Sequence, residues 1–289
     1  MIYMFIRNHK GIHSVDKMAR TLKIHRSAYY RWLKGLENRA MKKRSEKTLI
    51  HKIKAIQEKT RFSYGAPRLT DALNRIEGIS VNHKKVTRLL RENALNKRVK
   101  RKFRYTTNSN HAFKKASNIL NREFTSYSPN QKWVSDFTYI WTAEGWLYLC
   151  VIIDLYSRKV VGWSTSKQID TDLLLSSFWQ AIDKRKPKKG LLFHSDRGVQ
   201  YCANRFKNVL KSKGFIQSMS RKGNCWDNAC AESFFKSLKG EWLLGVKFNT
   251  RKEAQELLFE YIEIFYNRQR AHSFLNYETP EKFEQHFVA

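Results

Sequence analysis

Acidic residues are scarce in this chain of 289 residues. Twenty-five Asp and Glu stand against 56 Lys and Arg, a formal net charge of +31. Such an imbalance points to a polyanionic partner. Cysteine is sparse as well. Four occur, at 150, 202, 225 and 230, without paired spacing. A disulfide framework is therefore excluded as the basis of the fold, and a reducing cytoplasm is expected. No run of eighteen apolar residues exists, so no membrane partner is expected. The first ten residues are too few and too mixed for a signal peptide. What is present suffices for a core: 42% of residues are hydrophobic, which excludes wholesale disorder, and the length suits about two domains.

The charge is unevenly spread. Residues 1–125 hold 32 basic and 8 acidic residues, net +24, and residues 126–289 hold 24 and 17, net +7. The front half reads as a grip on double-stranded DNA or RNA. Ribosomal-type binding or adhesion to a membrane surface is the blander alternative, and folded reading heads argue against it. Val15, Met18, Ala19 and Leu22 form the apolar stripe of one helix. A second helix follows, with Ser27 expected as N-cap, Tyr30 and Leu33 facing inward and Gly35 as its end. The pair reads as a helix-turn-helix over residues 1–40, presenting His25, Arg26, Tyr29 and Arg31 to a groove, or else as a plain helical hairpin.

A second helical module is expected over 41–105. Leu49, Ile53 and Ile56 make one amphipathic helix, Pro67 opens another, and Asn82 caps a third. That third helix turns Val86, Leu89 and Leu90 inward and Lys84, Lys85, Arg88 and Arg91 outward. The module ends in a basic run, Lys97, Arg98, Lys100, Arg101, Lys102 and Arg104, six cations in eight residues. Like charges so close repel unless phosphate neutralises them. Residues 106–127 lack periodicity and read as a linker.

The last unit is expected over residues 128–289, and from Gln131 the hydrophobic period switches to two. Strands are expected over 133–140, 146–154 and 159–165, as an antiparallel meander. A helix over 171–184 follows, then an apolar strand over 191–195, a helix over 204–213, a strand over 215–219 and a helix over 228–239. A helix over 250–266 closes the pattern. The fold class is thus α/β, a ribonuclease-H-like mixed sheet flanked by helices and preceded by all-α helix-turn-helix modules.

Three acids stand out by position. Asp136 lies mid-strand beside Val134 and Thr138 on one face, where a carboxylate is costly unless a cation neutralises it. Asp196 ends the short apolar strand, at the carboxyl edge where ligands sit in such sheets. Glu232 lies on a helix, with Lys236 and Lys239 on the same face. Three carboxylates from different elements make an all-oxygen site suited to Mg²⁺ or Mn²⁺. Two ions roughly 4 Å apart would clamp the attacking and leaving oxygens of an in-line phosphoryl displacement, with no covalent protein nucleophile.

Thirty-five residues separate Asp196 from Glu232. Around them stand Trp133-Val134-Ser135-Asp136-Phe137-Thr138, Asp154-Leu155-Tyr156-Ser157-Arg158, His194-Ser195-Asp196-Arg197-Gly198, Arg221-Lys222-Gly223-Asn224-Cys225-Trp226-Asp227-Asn228 and Tyr266-Asn267-Arg268. In these motifs, in order over nearly its whole length, the chain resembles the OrfB-type DDE transposases of the bacterial insertion-sequence family three, with a retroviral-integrase-like catalytic core. The resemblance implies an enzyme that cuts the 3′ ends of its element and joins them to DNA by transesterification. It implies Asp136, Asp196 and Glu232 as the catalytic and metal-binding triad, and Lys239 as a contact to terminal DNA. It also implies a homo-oligomer on DNA, an upstream-frame partner or fused segment for end recognition and dimerisation, and work in the bacterial cytoplasm at the nucleoid. His9 and His13 carry the His spacing of an integrase zinc head, but no Cys pair follows, so no zinc is expected. A DNA-binding regulator with an inactive nuclease fold and a structure-selective nuclease are the alternatives.

Other residues compete for roles. Asp154 is expected to pair with Arg158 and its turn, and Asp227 to cap a helix. His194 is either a DNA or proton-transfer group or a packed strand histidine. Trp226 is expected in the core, with a wedge against a base as the alternative. Arg268, Arg270 and His272 either meet phosphate or are merely solvated.

Overall fold

A computed structural model describes residues 1–95 and 115–288. The six cations of the 97–104 run, named above as DNA-binding candidates, lie outside the described residues, as do linker residues 106–114.

The front half is helical: α1 (Ile2–His9), α2 (Val15–Thr21), α3 (Arg26–Lys59), α4 (Ala66–Arg75) and α5 (His83–Glu92). Ser14 caps α2 by accepting from the Lys17 N–H, and Asn82 caps α5 through the Lys84 N–H. Helix α1 buries Ile6 against Met18 and Tyr29. Three expectations fail at α3: its cap, its inward residue and its end. Its N-cap is His25, whose ring nitrogen pairs with the Ser27 hydroxyl, so the inward residue is Tyr29 and Tyr30 points to solvent. It also does not stop at Gly35, which keeps a negative φ rather than the left-handed conformation of a C-terminal glycine cap. The helix runs on through residue 40 to Lys59.

The back half is built on β1 (Lys132–Thr142), β2 (Gly145–Asp154), β3 (Val160–Ser166), β4 (Leu192–Ser195) and β5 (Ile216–Met219), in the order β3-β2-β1-β4-β5. The first three are antiparallel, and β1, β4 and β5 are parallel. The mixed sheet is flanked by helices, as its alternating elements predict. On one face Trp133, Cys150 and Ile152 meet Leu174 and Phe178 of α6 (Thr171–Arg185) and Phe206 of α8 (Asn204–Ser212), which follows the short α7 (Val199–Cys202). At Gly162 α6 lies nearer to β3 than a side chain allows: a Cβ there would stand 2.3 Å from the Ser177 carbonyl oxygen. On the other face Val134, Leu149 and Val151 meet Phe234 and Leu238 of α9 (Ala229–Glu241). The helix expected over 250–266 divides into α10 (Arg251–Phe259) and a π-helical stretch, Glu260–Tyr266, and α11 (Pro280–Val288) closes the chain.

The α4–α5 module shares this second core through Leu69, Leu73, Val86 and Leu90. Polar contacts seal the joint. The Tyr64 hydroxyl donates to the Gln269 carbonyl (3.2 Å) and accepts from the Ala271 N–H (2.8 Å), and Arg61 lies 4.0 Å over the Trp242 ring.

Candidate active site

The parallel register brings two of the acids together. Val134 of β1 pairs with His194 of β4; two residues further along each strand come Asp136 and Asp196. They share a parity, and adjacent strands run about 4.8 Å apart, so both carboxylates occupy one edge at the same level. There β4 ends while β1 continues beside β2, opening the crevice in which such sheets hold ligands. Glu232 comes from α9, whose approach is fixed by Asn228: its amide donates to the Ser135 carbonyl (3.1 Å), one residue from Asp136. Ala231, Phe234, Phe235 and Leu238 bury the inner stripe of α9, which leaves Glu232, Lys236 and Lys239 on the exposed one.

The electrostatics agree with this placement. Burial, the Asp196 charge and, more weakly, Glu232 push the Asp136 carboxyl well above the usual carboxylate range, against the Phe137 N–H (2.8 Å) and Lys239. Burial raises Glu232 as well. Desolvation lowers Lys239 below the ordinary lysine value, opposed by Asp136. Lys239 therefore stands within electrostatic reach of Asp136, with its ammonium 4.9 Å from the centre of the Tyr139 ring. Among the described residues, no three His, Cys, Asp or Glu side chains converge closely enough to grip one metal ion as they lie. Local bonds contribute to this: Asp136 accepts from Phe137, and Asp196 accepts from the Gly198 N–H (2.9 Å). The donor set still fits a hard divalent cation. All three groups are carboxylates, and their mutual repulsion is what such a cation relieves.

The surrounding residues sort themselves by their partners. Asp154 is fully buried and accepts from the Asn130 and Tyr156 N–H groups and from Arg185, not from Arg158. Arg158 instead reaches Cys230 and the Phe124 carbonyl. Asp227 does not cap α9. Its buried carboxylate accepts from the backbone and guanidinium of Arg221, from Arg122 and from Asn118, and it is held well below the usual carboxylate range. This clamp ties the β5–α9 loop to the segment before β1. His194 is a packed strand histidine between Ser218 and Ser220, lowered to about 4 by burial. Trp226 is not in the core; it is 69% exposed. Arg270 is buried on Glu241 and Ser237, and Arg268 pairs with Glu281.

The front-half candidates do not converge with the acids. Arg26 pairs with Asp16, and Arg88 with Glu46 and Glu92. Arg31 and Lys84 are exposed and Lys85 is partly so. Asn228, Tyr139 and Gly198 join the candidate site without having been expected there. A Cβ on Gly198 would stand 3.0 Å from an Asp196 carboxylate oxygen, so glycine there leaves that carboxylate room. Gly198 and Asn228 were both inside quoted motifs; Tyr139 had no signal beyond alternation.

Comparison with known proteins agrees with this architecture. An integrase core domain family matches residues 126–225, a second integrase core domain family residues 213–280, and an HTH-like domain family residues 43–103. The chain is 39% identical over 289 residues to the transposase InsF for insertion sequence IS3A of Escherichia coli (strain K12), covering 100% of both. It is 42% identical over 270 residues to the insertion element IS600 uncharacterized 31 kDa protein of Shigella sonnei, covering 93% of this chain and 98% of that one. Among solved structures, the HTLV-2 integrase catalytic core domain in complex with magnesium (trimeric form) aligns at 20% identity and a TM-score of 0.42, over 54% of this chain and 97% of that one. The chain belongs to the IS3 family of insertion-sequence transposases, DDE enzymes with an integrase-type catalytic core.

Proposed function

We propose that this transposase cuts the 3′ ends of its own insertion element and joins the freed 3′-hydroxyls to target DNA by in-line transesterification. The observation that carries the reading is the register of Asp136 and Asp196 at one strand edge, with Glu232 brought alongside by the helix that Asn228 ties to Ser135. Asp136, Asp196 and Glu232 are the residues to hold Mg²⁺ or Mn²⁺, two ions in all. Such ions supply Lewis-acid chemistry for an attacking water or 3′-hydroxyl and for the departing oxygen. The protein's own part is to fix the acids and to present phosphate-binding groups beside them. Lys239 and Lys236, on the stripe that carries Glu232, neutralise the phosphates of the terminal nucleotides. The exposed Trp226, on the loop leading into α9, stacks on a base near the cut.

The basic front half holds double-stranded DNA through exposed side chains such as Arg31, Lys84 and Lys85. The site would act within a homo-oligomer that holds two ends together, assisted by an upstream-frame segment, in the bacterial cytoplasm. Strand transfer from a labelled element-end duplex in Mg²⁺ tests the reading. Wild type is expected to give cleaved and joined product, and Asp196→Asn neither, while still binding DNA. Full activity in Asp196→Asn refutes the assignment. Hydrolysis without joining would mark a nuclease, and binding with no chemistry, with or without the upstream segment, a regulator.

A further inference from the structure

A cleft of about 590 Å³ opens beside the candidate active site, between β1 and the loop that follows α9. Its size falls in the roughly 300–1,000 Å³ range of ligand sites. Lys239 belongs to both places: it lines the cleft and lies within electrostatic reach of Asp136. Along this stretch β1 offers a bare edge. Its ladder to β4 ends at Val134, and among the described residues only β2 pairs with it from there to Thr142.

The lining has a distinct chemistry. Tyr139 and Trp141 supply ring surface, Lys239 and Lys247 supply charge, and no described lining residue is a carboxylate. Trp141 is 60% exposed, a costly position for the largest apolar side chain. It is nevertheless held in place. Trp146 meets it edge-on at 4.8 Å and 73°, and meets Tyr139 at 4.9 Å and 89°. The backbone around it is also fixed, because the Ala143 N–H donates to the Phe248 carbonyl (2.9 Å) and Arg251 donates to the Trp146 carbonyl (3.1 Å). Exposed rings held rigid and flanked by cations suit a ligand that is both flat and anionic.

We infer that this cleft is a nucleotide subsite, which takes an unpaired base of a DNA strand running past the acids. The base stacks on Trp141, and its phosphates lie between Lys239 and Lys247. Stacking is indifferent to sequence, since every base has a π-face, so the subsite selects strand separation rather than a particular base. The inference rests on the reading that the chain acts on DNA.

The test compares three probes by anisotropy with the full chain: a blunt duplex, the same duplex with a single-stranded thymidine tail, and the same with an abasic tail. The tailed probes carry equal charge, so the ratio of their affinities isolates the base. Wild type is expected to prefer the thymidine tail over the abasic one by roughly 5- to 100-fold. Trp141→Ala should abolish the preference, and Trp141→Phe, which keeps a ring, should retain most of it. Because the readout is a ratio within one protein, general loss of folded material cancels. Tight binding of the blunt duplex by wild type with no preference between tails overturns the subsite alone, as does an undiminished preference in Trp141→Ala. Binding of none of the three probes overturns both the subsite and the DNA reading.

Discussion

The Glu241→Gln substitution probes how α9, the helix that carries the candidate acid Glu232, is anchored. Glu241 ends α9, and its side chain is 3% exposed. It accepts from Arg270 twice, at 2.7 and 2.8 Å, and from Arg68 of α4 at 3.2 Å. Arg270 is 4% exposed, and its Nη2, which donates to Glu241, also donates to the Ser237 hydroxyl at 2.9 Å. Burial opposes the guanidinium charge, and Glu241, with the neighbouring Tyr261 and Tyr266, outweighs that opposition, so Arg270 stays charged. Glutamine fills the same volume but carries no charge. It leaves Arg270 buried beside neutral groups, a situation that costs about 3–5 kcal/mol. Against a typical total of roughly 5–15 kcal/mol, a loss of this size is large.

Urea unfolding, followed by far-ultraviolet circular dichroism and by tryptophan fluorescence, would measure it. The comparison variant is Arg68→Gln, whose guanidinium is 20% exposed and whose removal leaves the Arg270–Glu241 pair intact. Arg68→Gln is expected to cost about 1 kcal/mol. The double variant should cost less than the sum of the two, because both remove the same bond. A Glu241→Gln loss within about 1 kcal/mol of wild type would refute the reasoning, since it would mean that Arg270 finds water or another acceptor where its burial denies one.

Three further outcomes are expected. Gly162→Ala should destabilise the fold by about 1–3 kcal/mol in the same urea assay, because its Cβ meets the Ser177 carbonyl oxygen at 2.3 Å and the Ala181 Cβ at 2.8 Å. His272 is lowered to about 3 by burial and by Arg270, Arg158 and Arg68, against 6.5 for an ordinary histidine. The unfolded chain therefore takes up its proton first, and stability should fall as pH drops below about 6.5. At pH 5 the loss is about 2 kcal/mol, and it should shrink in His272→Gln; His194, lowered to about 4, acts in the same direction. DNA affinity, measured by anisotropy, should fall roughly a thousandfold or more between about 50 and 200 mM salt, if six or more phosphates are contacted. Lys84→Gln with Lys85→Gln should flatten that slope by about two.

The elements legible in the sequence are those with a one-dimensional cause. Alternation over residues 146–154 and a fully apolar run before Ser195 place strands within a residue of where they lie. Asn82 caps a helix because its side chain accepts from a backbone N–H two residues on. Gly35 misled because a C-cap is a conformation, and the residue permits it without requiring it. The helix continues instead over residues 37–45, all exposed, with no apolar stripe there to announce it. The π-helical turn over 260–266 was illegible for a related reason: its apolar residues satisfy the α-helical period nearly as well.

At the site, what could be read was position along the chain, and what could not was the partner across space. Asp136 and Asp196 are visible because an acid within or just after an apolar strand contradicts its surroundings. Asp154 and Asp227 contradict theirs just as plainly, and burial alone would make them rivals for a metal. Their partners separate them. Asp154 is answered by Arg185, from 31 residues away, and Asp227 by Arg221, 6 residues away, and by Arg122, from 105 residues away. Asp136 receives one short bond from its own neighbour Phe137, while the carboxylates of Asp196 and Glu232 raise its pKa. Asp154 and Asp227 are each answered by cations, whereas Asp136 feels the Asp196 and Glu232 charges more than that of Lys239. Around Asp136 the acidic neighbours outweigh Lys239, a balance that a cation would relieve, so the difference between a clamped acid and a candidate catalytic one lies in the sign of the neighbours, which only the folded chain displays.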